Sequence, residues 1–160
     1  MVRRRNGRRS GCWPDGSTVA QTSACGRLLP VPITYQLDRD ARLVRAVVRG
    51  DFTAHDMLAC VSEAAAQVGD SGYHVLSDHR EIGEPATRDQ VETLVEHIAD
   101  LRQYFAGARS AVIVSKPASF GMMRMLSVMA ERVPMEVRAF ADADRAEWWA
   151  RSGTAPDLVP

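Results

Sequence analysis

Apolar and polar residues alternate along the chain from residue 33 onward, where the patterned part of the sequence begins. In ITYQL at 33–37 every second side chain is apolar, a polar turn follows at 38–40, and the valine-rich stretch 43–49 ends at Gly50. Two short extended stretches joined by a tight polar turn are typical of a β-hairpin. The pattern therefore predicts that the folded part opens with two antiparallel strands.

Four later stretches carry apolar residues three to four positions apart, the spacing that gives a helix one buried face. Thr53 and Thr87 are suited to cap the first two helices, and Pro117 is suited to the first turn of the third. The predicted helices cover residues 53–68, about 87–105, 117–133 and 142–151. The residues that the third helix is expected to bury are Met122, Leu126, Met129 and Val133. His97 lies off the apolar stripe of the second helix and is expected to be exposed.

Three more extended stretches separate these helices, at 73–77, 111–114 and 135–140. The second is apolar on both faces, which is typical of a strand in the middle of a parallel sheet. The order of elements is then ββαβαβαβα. It predicts an α/β fold with a single mixed, mostly parallel sheet of about five strands and about four helices, in which only the hairpin adds an antiparallel strand.

Length and composition fit one globular domain. The chain has 160 residues, of which 46% are hydrophobic, and 20 basic residues balance 20 acidic ones. No apolar stretch approaches the roughly 20 residues of a membrane-spanning helix, so we expect no membrane span. The start of the chain lacks the apolar core of a signal peptide, and the expected location is the cytoplasm.

The first 32 residues differ from the rest of the chain. Residues 1–30 hold six arginines against one acid, Asp15, and show no helical or strand period. Such a segment buries too little apolar surface to offset the entropy of ordering. We predict a disordered basic arm at 1–32, a domain at 33–151 and a flexible tail at 152–160. We also expect the native chain to begin at Val31, and nucleic-acid contact only through the arm.

Cysteines and histidines give no sign of a metal or a cofactor. Cys12, Cys25 and Cys60 are an odd number without a CxxC pair, and the four histidines lack the spacing of a zinc site. We predict neither a metal nor a cofactor.

Several segments together resemble the STAS-like fold, named after sulfate transporters and anti-sigma-factor antagonists, and in particular its small stand-alone bacterial members. The segments are PITYQLDRDARLVRAVVRGDFT at 32–53, a strand closing in Asp78-His79-Arg80, SKPASFGMMRM at 115–125, MEVRAF at 135–140 and a Trp-bearing last helix. The resemblance implies a non-enzymatic regulatory or binding module. In anti-sigma-factor antagonists a partner kinase phosphorylates the motif Asp-Ser-Ser-Gly, but the matching loop here reads IGEPAT. Thr87 is the substitute phosphorylation candidate that this loop offers.

Polar residues follow the third and fourth strands, where parallel sheets usually place their ligands. The candidate ligand-binding residues are Asp78, Arg80, Ser115, Lys116 and Arg124. The N-terminus of the helix at Pro117 adds backbone donors that suit a small anion. In the alternative interpretation these residues only hold the loops: Asp78 pairs with Arg80, Ser115 or Lys116 lies in the cap region, and Arg124 is solvated.

The preferred hypothesis is a non-enzymatic module that recognises a partner protein or a small anionic ligand. A first alternative is a small-molecule or lipid carrier with a pocket lined by Met122, Met125 and Met129. A second is a hydrolase-like enzyme built on Asp78, His79 and Ser115. No GxSxG motif surrounds that serine, and neighbours on a strand point to opposite faces, so no catalytic residue is assigned. The polar face of the hairpin also allows a homodimer through the sheet edge.

Overall fold

A computed structural model of the chain describes residues 32–69, 72–133 and 135–154. The expectations for the arm up to residue 31, for a start at Val31 and for the tail beyond residue 154 lie outside these ranges. The strands are β1 (Ile33–Asp38), β2 (Leu43–Gly50), β3 (His74–Ile82), β4 (Ala108–Ile113) and β5 (Met135–Phe140). The helices are α1 (Ala54–Val68), α2 (Arg88–Asp100), α3 (Arg102–Phe105), α4 (Pro117–Met129) and α5 (Ala143–Ser152), with a 3₁₀ turn at Ala130–Arg132.

One five-stranded sheet, in the order β1-β2-β3-β4-β5, organises the described part of the chain. β1 pairs antiparallel with β2, and every later pairing is parallel. The predicted α/β class, the mixed sheet and the single antiparallel strand are therefore confirmed. The strand predicted at 111–114 belongs to β4, which is an interior strand between β3 and β5, while β3 occupies the middle of the sheet.

Capping residues define where the first helices begin and end. Thr53 Oγ1 accepts from the backbone N–H of Asp56 at 3.2 Å, and the Asp56 carboxylate accepts from the N–H of Thr53 at 2.8 Å. α1 ends at Gly69, whose φ of +69° favours glycine. The predicted helix at 87–105 is divided, because the chain turns at Leu101 and continues as the short α3.

Helices cover both faces of the sheet and divide the core. α5 packs on one face, where Leu76, Ile113 and Trp149 meet in one apolar cluster. On the opposite face α1, α2 and α4 pack against strand residues such as Val44 and Val112. Since side chains alternate along a strand, the two faces of β3 carry different residues, and this alternation separates the polar groups described below.

The inward face of α4 differs from the predicted one. The buried residues of the helix are Ser119, Met123 and Leu126, whereas Met122 and Met129 are only partly buried. The prediction was confirmed for Leu126 and Val133 and wrong for Met122 and Met129. The sequence could not fix the rotation of the helix, because the methionines at 122, 123 and 125 fit more than one apolar stripe.

His97 also differs from expectation. It is partly buried, and its Nε2 lies 2.7 Å from Ser62 Oγ, because α1 packs against α2 at this point. The apolar stripe of one helix could not show that a second helix covers the neighbouring positions.

Candidate functional site

Asp78 and Arg80, which the sequence analysis placed after the third strand, lie within β3, because this strand continues to Ile82. They lie on the same face of the strand and form an ion pair with each other. Arg80 Nη2 lies 2.6 Å from Asp78 Oδ2, and Arg80 Nε lies 3.0 Å from Asp78 Oδ1. Burial acts to raise the pKa of the Asp78 carboxyl, but the hydrogen bonds from Arg80 outweigh it and hold that pKa below its ordinary value. An anion that approaches Arg80 therefore competes with the Asp78 carboxylate.

Lys116 joins the loop after β3 to the start of α4. Its Nζ donates to the carbonyl oxygen of Ile82 at 2.9 Å and also to that of Gly83. Gly83 packs so closely on Asp51 that a Cβ would lie 2.1 Å from the Asp51 Oδ1 atom, so a side chain there would displace the Asp51 carboxylate. The lysine ammonium thus joins the segment after β4 to the loop after β3, and that loop in turn packs on the loop after β2.

The remaining predicted site residues are less connected. Ser115 Oγ lies 3.5 Å from the carbonyl oxygen of Arg80, the long limit of a hydrogen bond. Arg124 is exposed on α4, about 10 Å along the helix axis from Pro117. Thr87 is the exposed N-cap of α2, and its Oγ1 accepts from the N–H of Gln90 at 3.3 Å. The structure therefore brings Asp78, Arg80, Ser115 and Lys116 to one edge of the sheet.

His79 faces the other side of β3 and meets Ser77 there. His79 Nε2 lies 2.7 Å from Ser77 Oγ, and in the described part of the chain no hydrogen bond joins His79 to Ser115. Burial lowers the pKa of His79 to about 4, although the nearby Asp78 charge acts to raise it. The imidazole is therefore neutral at pH 7, and the carboxylate suggested as its partner lies on the opposite face.

A cavity of about 150 Å³ lies between this face of the sheet and the helices α1, α2 and α4. Apolar side chains from all of these elements line it, including Val44 and Val112 from the sheet, Ala64 from α1, Leu94 from α2 and Leu126 from α4. Among the three methionines proposed from the sequence, Met122 lines the cavity, and Met125 and Met129 do not. Met123 lines it in their place.

Several polar side chains that the sequence analysis did not select as ligand-binding residues also line this cavity, among them Ser77, His79, Ser110, Ser119 and Gln90. Ser77 and His79 are bonded to each other. Ser119, in the first turn of α4, is only 2% exposed, and its Oγ makes no hydrogen bond to any described residue. The signal available in the sequence was its spacing, four positions before Met123 and seven before Leu126 on one helical face.

The walls of the cavity carry no formal charge. Its lining within the described ranges contains no Asp, Glu, Lys or Arg. Cys60 also lines it, and burial raises the pKa of that thiol to about 12, so the thiol is protonated at neutral pH.

Among residues 32–69, 72–133 and 135–154 no cluster of three or more His, Cys, Asp or Glu residues is placed to hold a metal ion. Helices in the same ranges are too short or too polar to cross a membrane.

A solved structure similar to this chain is that of an uncharacterized protein of the DUF3478 family from Shewanella loihica PV-4, described as having a SpoIIAA-like fold. The TM-score is 0.53 at 18% sequence identity, and the match covers 74% of this chain and 93% of that one. The SpoIIAA-like fold is the STAS-like fold, so the fold implied by the sequence resemblance is confirmed. No protein-family profile and no curated protein matches the sequence.

Proposed function

We propose that this chain is a non-enzymatic, STAS-like binding module that holds a small apolar molecule in the cavity between the sheet and helices α1, α2 and α4. The cavity of about 150 Å³ with uncharged walls carries the proposal. Apolar cavities of this size in protein cores stay dry and bind molecules such as benzene. Pockets for drug-sized ligands are about 300–1,000 Å³, so the ligand is smaller than such a molecule and a whole lipid does not fit.

The polar groups near the cavity support binding rather than catalysis. A serine nucleophile needs a base with a pKa near the working pH and a third group that orients the base. His79 has a pKa of about 4, and the Asp78 carboxylate is bonded to Arg80 on the other face of the sheet. The Ser77–His79 hydrogen bond therefore acts as structural support for β3 beside the cavity.

A thermal-shift titration with benzene tests this function. Benzene is expected to raise the melting temperature by mass action, since it binds only the folded chain. Ala64→Leu places a larger side chain into the cavity and should abolish that rise. Ala66→Leu is the matched control, because Ala66 is exposed on the same helix and does not line the cavity. The absence of any rise with benzene in the native chain would refute the proposed function.

A second candidate is a small anion at the carboxyl edge of β3 and β4. The N-terminus of α4 lies there beside Lys116 and Ser115, and Arg80 is on the neighbouring strand end. If an anion binds, phosphate should raise the melting temperature more than chloride, and Lys116→Ala and Arg80→Ala should each reduce the difference. Arg132→Ala, exposed beyond the other end of α4, is the control. A full phosphate response in both test variants would eliminate this site.

In the other form of the same proposal of a binding module, the bound partner is a protein instead of a small molecule. A protein that co-purifies in stoichiometric amount with the native chain would identify that form. A small neutral metabolite released on denaturation would instead favour the cavity.

A further inference from the structure

Ser119 lies on the cavity wall with a buried hydroxyl that has no partner among the described residues. It is 2% exposed, and its Oγ makes no hydrogen bond to any described residue. Nearly all buried polar groups in native proteins are satisfied, since removing a hydroxyl from water without a new partner is unfavourable. An orphaned hydroxyl on a cavity wall indicates a partner that is absent from the chain itself.

The geometry of α4 shows that the chain does not supply this partner locally. A serine in a helix can donate to a carbonyl three or four residues earlier, and Ser127 does so to Arg124 at 2.8 Å. Ser119 makes no such bond, and the carbonyl oxygen of Lys116 already accepts the N–H groups of Ser119 and Phe120 at 3.0 and 3.3 Å. Ser127 is therefore a satisfied serine on the same helix that can serve as a control.

The surroundings of Ser119 restrict the chemistry of a partner. Within the described ranges the cavity lining has no charged side chain, so a charged ligand would lose its hydration without compensation. A hydroxyl donates one hydrogen bond, and a neutral oxygen is the acceptor that an apolar site tolerates best. The volume of about 150 Å³ accommodates a molecule of single-ring size.

Building on the proposed function, we propose that the ligand is a neutral, ring-sized molecule with one hydroxyl or carbonyl oxygen, and that Ser119 binds this oxygen. The apolar walls hold the ring, and the serine hydroxyl donates to the oxygen. Ser119 thus makes the cavity selective for an oxygenated ring over a plain hydrocarbon of the same shape.

Calorimetric titration with phenol and toluene tests the inference, because the two probes have nearly the same shape and only phenol has an oxygen. Ser119→Ala is expected to weaken phenol binding about tenfold, which corresponds to the loss of one hydrogen bond, and to leave toluene binding unchanged or tighter. Ser127→Ala should leave the affinities for both probes as in the native chain. Melting temperatures of both variants confirm that they are folded.

The outcomes separate the inference from the proposed function. If toluene binds the native chain and Ser119→Ala keeps the native ratio of phenol to toluene affinity, the role of Ser119 is wrong while the apolar cavity stands. If neither probe binds the native chain, the proposed function and this inference both fail.

Discussion

At the scale of single residues, the alternation along β3 decides which groups can act together. Asp78 and Arg80 point to the face that α5 covers, whereas Ser77 and His79 line the cavity on the opposite face. A carboxylate, an imidazole and a hydroxyl that are adjacent in sequence are therefore divided between two environments. One environment holds an ion pair near solvent, and the other holds a neutral, partly buried histidine.

The partly buried position of His79 predicts a specific pH dependence of stability. Its pKa of about 4 in the folded chain lies below the ordinary value of 6.5, so the unfolded chain binds more protons between these values. The contribution of neutral His79 to the free energy of unfolding is therefore fully present above pH 6.5, and it is lost as the pH falls toward 4. From pH 7 to 4.5 this residue alone should remove about 2–3 kcal/mol of the free energy of unfolding.

Urea unfolding of the native chain and of His79→Gln at both pH values measures this contribution. Burial also lowers the pKa of His74, which contributes in the same direction, so the quantity to compare is the difference between the two proteins. His55→Gln, at an exposed position on α1, is the control. Equal losses in the native chain and in His79→Gln would contradict the buried, neutral state of this imidazole.

At the scale of elements, the rotation of α4 determines which side chains enter the core and which meet solvent. Met123 is 8% exposed and belongs to the apolar cluster beneath the helix, and Met129 only packs against its margin. Val128 is 61% exposed on the outer side. The same rotation brings Ser119 onto the cavity wall, so the position of the helix sets both the core packing and the proposed ligand contact.

Alanine substitutions on α4 are expected to follow this rotation. Met123→Ala should lower the free energy of unfolding by on the order of 2–4 kcal/mol, because it removes a buried side chain and enlarges the cavity. Met129→Ala should cost clearly less, and the exposed Val128→Ala should lie within about 0.5 kcal/mol of the native chain. Chemical unfolding of the three variants checks the order. A larger loss at Met129 than at Met123 would restore the helical face first expected from the sequence.

At the scale of the whole molecule, helices on both sides of one sheet create two separate candidate sites. The carboxyl ends of β2, β3 and β4 bring the loops around Asp51, Gly83 and Lys116 together at one edge. The apolar cavity forms on one face because three helices pack there against the strands. Both candidate sites therefore depend on the same sheet. The site at the strand ends carries charged groups, whereas the cavity in the core has uncharged walls.

The sequence by itself determined the order of the elements, their helix caps and the mostly parallel sheet. These features depend on local patterns such as the Thr53–Asp56 capping box, the alternation at 33–37 and the apolar stretch at 111–114. It also placed Asp78, Arg80, Ser115 and Lys116 at one edge of the sheet, since parallel strands end on the same side. Each of these conclusions needs only information from residues that are close along the chain.

Only the tertiary structure decided which polar groups are engaged and where empty space lies. Lys116 binds carbonyl groups more than thirty positions earlier in the chain, and His79 loses part of its contact with solvent because helices cover its strand. The cavity and the orphaned Ser119 hydroxyl arise from the fit between helices and sheet. A cavity forms where side chains that are distant in the sequence do not fill the space between them. A pattern of neighbouring residues therefore does not predict it.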